Sequence, residues 1–83
     1  MGQTIYDAAD FGRLVRRGRE EHGLTQRQAA ELCGVSPRLW SECETGKRLN
    51  VSFETALRML QTVGLDLRAE RRGSEKPSSA SNA

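Results

Sequence analysis

GLTQRQAAELCGVSPRLWSECETGK, residues 23–47, decides the fold of this 83-residue chain. Its punctuation marks two short helices with a tight bend between them. Thr25 and Gln28 stand three apart, the spacing of a capping box in which a hydroxyl and an amide satisfy free backbone donors reciprocally. Gly34 breaks the first segment after Cys33. Ser36 then offers an N-cap, and Pro37 takes the first helical position, where its missing N–H costs nothing. The second segment runs from Pro37 to Glu44 and stops before Gly46. Ala30 is small where the two helices must approach, Gly34 permits the turn, and Val35 fills the angle between them.

Upstream, Phe11, Leu14, Val15 and Gly18 repeat at helical spacing between Ala8 and His22, while Arg13, Arg16, Arg17 and Glu20 face away. Asp7 is the expected N-cap of this first helix and Gly23 its stop. Downstream, Lys47 to Val51 reads as a loop. Ser52 caps a fourth helix whose expected apolar face is Phe53, Ala56, Leu57 and Leu60, ended by Gly64. Leu65 to Glu70 alternates apolar and polar with period two, the pattern of a short strand with one buried face. The expected organisation is an N-terminal arm over residues 1–7, one domain over 8–70 and a disordered polar tail over 71–83. No internal repeat is present.

At this length the chain holds one domain with a modest core. Aromatic residues make up 5% and apolar residues 36% of it, a balance that suits a small helical protein better than a sandwich or barrel. The net charge of +2 is too weak to point to nucleic acid alone, but its cations are mostly arginine, the side chain suited to forked contacts with phosphate and guanine. Cys33 and Cys43 have neither C-x-x-C nor zinc spacing and read as buried thiols. No apolar run is long enough to span a membrane, and the start lacks the order of a signal peptide, so a cytoplasmic location and no membrane partner are expected. No nucleophile motif, phosphate loop or metal constellation is evident, so neither an enzyme, a cofactor nor a metal is expected.

Two short helices joined by a glycine turn, the second opening with a small hydroxyl cap, match the helix-turn-helix unit. Through Gly23-Leu24-Thr25-Gln26, Ala30, Gly34-Val35-Ser36 and Glu44-Thr45-Gly46-Lys47 the chain resembles the phage repressor and Cro-like superfamily, the XRE family, over about Phe11 to Leu67. The ending Leu60-Gln61-Thr62-Val63-Gly64-Leu65-Asp66-Leu67 is similar to that of HipB-type antitoxins, which accompany HipA-type kinase toxins and repress their own operon. The resemblance implies an all-α, lambda-repressor-like bundle of four to five helices with a short C-terminal dimerisation strand. It implies a sequence-specific repressor of double-stranded DNA. A free-standing regulator without a toxin, and an interaction module that no longer binds DNA, remain alternatives. Gly18 and Ala29 are smaller than the family usually has, and Trp40 is larger, which predicts that the indole fills the space the two small residues leave.

Arg38, Ser41 and Glu42 lie opposite the apolar stripe of Trp40 and Cys43 on the third helix. By resemblance, the base-reading positions are Pro37, Arg38, Ser41 and Glu42, and Arg38 alone suits a bidentate contact with guanine. Arg38 and Glu42, four apart, could equally pair on a solvated face. Gln26, Arg27, Ser36, Lys47 and Arg48 sit at helix starts or just after the third helix, where they would grip phosphate or remain plain surface residues. Glu44 shares the face of Trp40 and Cys43, so it needs a partner. Arg19, at the edge of the first helix's stripe, is expected to provide it. His22, the one histidine, reads as a cap or surface residue at a helix end.

A lone strand leaves its backbone groups unpaired, so Leu65 to Glu70 is expected to pair with the same segment of a second subunit. Leu65, Leu67 and Ala69 would then face the subunit cores beside Met59 and Val63. Such a homodimer sets two recognition helices roughly 34 Å apart and predicts a palindromic operator.

Overall fold

The computed structural model describes residues 2–48 and 50–72. They form four helices: α1 (Ala8–Glu21), α2 (Gln26–Cys33), α3 (Pro37–Glu44) and α4 (Phe53–Thr62). Each starts at the cap its sequence announces. The side chains of Asp7, Thr25, Ser36 and Ser52 accept the backbone N–H of Asp10, Gln28, Leu39 and Thr55 in turn. The Gln28 side chain accepts the Thr25 N–H at 2.9 Å, which completes the capping box.

All four helices end by one device. The N–H of Leu24, Val35, Lys47 and Leu65 donates to the carbonyl five residues earlier, at Arg19, Ala30, Glu42 and Leu60, over 2.8–3.1 Å. Such a closure needs a left-handed residue inside the turn, and Gly23, Gly34, Gly46 and Gly64 supply it with φ between 67° and 82°. At three of these ends the donating residue is apolar and packs on the core: Leu24, Val35 and Leu65. At the end of α3 it is Lys47, which is exposed.

α1 and α2 both pack on α3, and α4 packs on α2. Trp40, Met59, Val15 and Val63 are the largest fully buried side chains. Burying one such as Met59 stabilises the fold by about 1.5 to 3 kcal/mol. Gly12 sets the distance between α1 and α3: a Cβ there would lie 2.3 Å from the Cys43 carbonyl oxygen and 2.6 Å from that of Glu44. A glycine in mid-helix costs about 1 kcal/mol relative to alanine, and here it admits the backbone of the neighbouring helix end.

Several expectations need correction. Trp40 is buried, but the space at Gly18 is taken by Val63, whose Cγ2 would lie 2.8 Å from a Cβ at Gly18. Ala29 does share the fully buried cluster with Trp40. Phe53 is 68% exposed, because the fully buried positions of α4 begin only at Met59. The C-terminal strand is absent from the single chain: residues 65–72 take up no regular structure, and beyond Leu65 they are exposed. A strand exists only through its ladder, and the described residues contain no second strand to pair with it. Met59 and Val63, 0% and 1% exposed, lie in the chain's own core, against which Leu65 packs. Of the expected tail, residues 73–83 lie outside the described residues.

Candidate nucleic-acid interface

The placement of α3 rests on a buried carboxylate. Glu44, its last residue, has a side chain 2% exposed and lies beside Arg19 of α1, itself 12% exposed. Arg19 donates from Nε to Oε2 at 2.5 Å and from Nη2 to Oε1 at 3.1 Å, a two-pronged geometry. Its remaining terminal nitrogen, Nη1, donates to the Leu24 carbonyl at 2.8 Å. Two neutral donors complete the shell: Gln26 Nε2 to Oε1 at 2.9 Å, and Trp40 Nε1 to Oε2 at 2.6 Å. Burial pushes the Glu44 carboxyl up, but the hydrogen bonds from Arg19, Gln26 and Trp40 and the arginine's charge outweigh it and hold the group below its usual range. In return Glu44 raises Arg19, chiefly through their hydrogen bond. One carboxylate thereby ties α1, the start of α2 and both ends of the Trp40–Glu44 turn of α3 into a fixed arrangement.

The opposite side of α3 is open. Pro37 and Arg38 are exposed, Ser41 and Glu42 half-exposed. The four thus lie along one accessible side, with Trp40, Cys43 and Glu44 inside. Ser36 caps the helix by accepting the Leu39 N–H at 3.0 Å, and its hydroxyl proton stays available to donate outward. Glu42 sits between two arginines, accepting from Arg38 Nε at 3.1 Å and from Arg48 Nη2 at 2.6 Å. The hydrogen bonds from Arg38 and then Arg48 hold its carboxyl low. Burial raises the Cys43 thiol, and both Cys33 and Cys43 are free and buried.

A short helix held at a fixed angle to its predecessor, with a capping hydroxyl and an arginine at its open start, is the geometry of a major-groove reader. Residues 10–72 match the helix-turn-helix domain family. The chain belongs to the XRE-like helix-turn-helix family. It is a non-enzymatic, DNA-binding transcriptional regulator.

An uncharacterised HTH-type transcriptional regulator of Sinorhizobium fredii is 36% identical over 67 residues, which cover 81% of this chain and 87% of that one. Among solved structures, the clp gene regulator ClgR of Corynebacterium glutamicum is similar with a TM-score of 0.69 and 28% identity, over 81% of this chain and 85% of that one. The restriction-modification controller protein C.AhdI of Aeromonas hydrophila matches with a TM-score of 0.65 and 29% identity, over 71% and 88% of the two chains. HipB in a complex with a 20mer gives a TM-score of 0.75 over 88% and 100%, and at 22% identity that likeness concerns the fold alone.

On this helix-turn-helix, the remaining expected contact residues flank α3. Arg27 is exposed on the first turn of α2, and Lys47 is exposed just past the α3 turn. Gln26 is half-buried and already commits one N–H to Glu44, so it joins the buried carboxylate to the surface. Arg48 is drawn to Glu42. His22 caps α1, with Nδ1 2.9 Å from the Gly18 carbonyl oxygen, and its ring lies over Gly64. Sequence reasoning found the Arg19–Glu44 pair and missed the two neutral donors. The i,i+4 spacing of Trp40 and Glu44 on α3 carried the signal for one of them. Gly12 was missed too, although it lies on the stripe of Val15 and Arg19. No helix among the described residues is long and apolar enough to cross a membrane.

Proposed function

We propose that the protein is a repressor that binds a palindromic operator as a homodimer, reading bases through the open side of α3. The observation that carries this is Arg38, 86% exposed at the start of a helix whose other face is locked in the core. In the major groove Arg38 takes the N7 and O6 acceptors of a guanine, and Pro37, Ser41 and Glu42 line the adjoining base edges. Ser36, Gln26, Arg27 and Lys47 hold the flanking phosphates and set the register without reading sequence.

The second subunit joins through residues 65–70. Leu67 is 48% exposed and Leu65 only half-buried, and beyond the Leu65 N–H, which closes α4 on Leu60, the segment takes up no regular structure, so a matching segment would satisfy both its remaining backbone and its apolar side. Leu65, Leu67 and Ala69 form that contact, and Met59 and Val63 support it from inside the core. The resemblance of Leu60 to Leu67 to HipB-type endings further supports an antitoxin that represses its own operon and partners a HipA-type kinase.

Selection of DNA fragments by the purified protein tests the central reading. The expected result is an inverted repeat whose half-sites are one helical turn apart and contain a guanine. Recovery of fragments with no common sequence would overturn it. Co-purification with the product of a neighbouring kinase gene tests the antitoxin role, and a free-standing locus rejects it.

A further inference from the structure

Glu42 places a carboxylate on the side of α3 that meets DNA, where neighbouring phosphates repel it. Two arginines hold it, and they are unequal. Arg38, one turn earlier on the helix, has a side chain 86% exposed, whereas that of Arg48 is 35% exposed. Arg48 is also delivered by the backbone: the N–H groups of Lys47 and Arg48 both donate to the carbonyl of Glu42 itself, at 2.9 and 3.3 Å. Arg48 therefore starts from a point tied to the residue whose carboxylate it holds. Arg38 reaches Glu42 from open solvent, in an exposed pair of the weak kind that a better partner readily breaks.

We propose that Arg48 is a positioning residue, the retained counter-ion of Glu42, which keeps that carboxylate neutralised while Arg38 leaves it for DNA. The proposal rests on α3 being the DNA-reading helix. In the free protein Glu42 is shared between both arginines. On DNA, Arg38 exchanges it for guanine or phosphate, and the forked guanidinium of Arg48 stays behind. Without Arg48, the departure of Arg38 leaves a bare carboxylate against the phosphate backbone, so losing Arg48 is felt through Glu42 and not through a missing phosphate contact.

The test is a double-mutant cycle on a duplex selected by the wild-type protein, titrated at several salt concentrations, with thermal melts to show that each variant folds. Arg48→Ala alone is expected to weaken binding about tenfold. In a Glu42→Gln background the same change is expected to cost less than twofold and to leave the salt slope where Glu42→Gln put it. An equal loss in both backgrounds, with the slope reduced by about one phosphate contact in each, makes Arg48 a phosphate ligand and overturns the proposal. Side-chain NMR of the wild-type protein gives an independent readout: the Arg38 guanidinium signals should move on DNA addition while those of Arg48 hold. Movement of Arg48 with Arg38 unchanged also overturns it. Failure of the wild-type protein to retain any selected duplex is a different result, which removes the DNA-reading role of α3 and the proposal with it.

Discussion

Arg19 and Glu44, 25 residues apart in sequence, face each other as a two-pronged ion pair with both side chains withdrawn from water. The pair fixes the last residue of α3 against α1. Removing one member strands the other in the interior, which typically costs about 3 to 5 kcal/mol. Arg19→Ala is therefore expected to lower the urea midpoint sharply or prevent cooperative unfolding. A variant that unfolds at the wild-type midpoint would show that Glu44 does not depend on it.

Acid should act through the same carboxylate. Because the Glu44 carboxyl is held low in the folded state, its stabilisation is complete above the unfolded pKa of about 4.3 and is lost as pH falls through the lower folded value. Melts from pH 7 down to 3 should show this loss in the wild type and a flatter profile in Glu44→Gln. Parallel profiles would assign the acid sensitivity to other groups.

The two interior glycines of α1 should respond differently to alanine. At Gly12 the added carbon meets backbone oxygens of Cys43 and Glu44, which cannot turn aside, so Gly12→Ala is expected to destabilise by about 1 to 3 kcal/mol. At Gly18 it meets the Val63 side chain, and Val63→Ala in the same chain should recover part of the loss. Equal, unrecoverable losses at both sites would contradict the geometry.

On DNA, Arg38→Ala should cost about 1 to 3 kcal/mol and relax preference at one base pair. Lys47→Ala should weaken binding to every sequence alike and reduce the salt slope by about one. Competition assays with single-base variants of the operator separate the two signatures, and an Arg38→Ala protein with unchanged preference would place the reading face elsewhere.

Ending the chain after Gly64 should leave the four helices folded and abolish the dimer. Sedimentation reads the mass, and a truncated protein that still sediments as a dimer would assign the subunit contact to the helices.

The helices were legible because their boundaries are written in local chemistry. Asp7, Thr25, Ser36 and Ser52 open them, and the glycines close them, within a few residues of chain. The Arg19–Glu44 pair was legible because Glu44 fell on an apolar face where a lone charge is untenable. What escaped were approaches between distant backbones. Nothing near Gly18 in sequence says that Val63, 45 positions on, will fill its space, and Phe53 kept the helical spacing of a core residue while lying outside the packed turns. The alternation of Leu65 to Glu70 describes a strand's side chains, but its hydrogen bonds belong to whatever lies alongside.

The shared ending of the four helices has a consequence for how such a protein changes over generations. Three of the endings lock an apolar side chain into the interior, so they are constrained by everything packed around them. The ending of α3 adds only the Thr45 hydroxyl, which donates to the Ser41 and Glu42 carbonyls, to its main-chain bonds and glycine, and it leaves Lys47 outside. The side chain at position 47 can therefore change without disturbing the scaffold, whereas Glu44, Gly46 and Arg48 beside it are held by their own contacts. Given the phosphate role proposed for Lys47, a lineage built on this chain can retune there how tightly it holds DNA of any sequence while the rest of the molecule stands still.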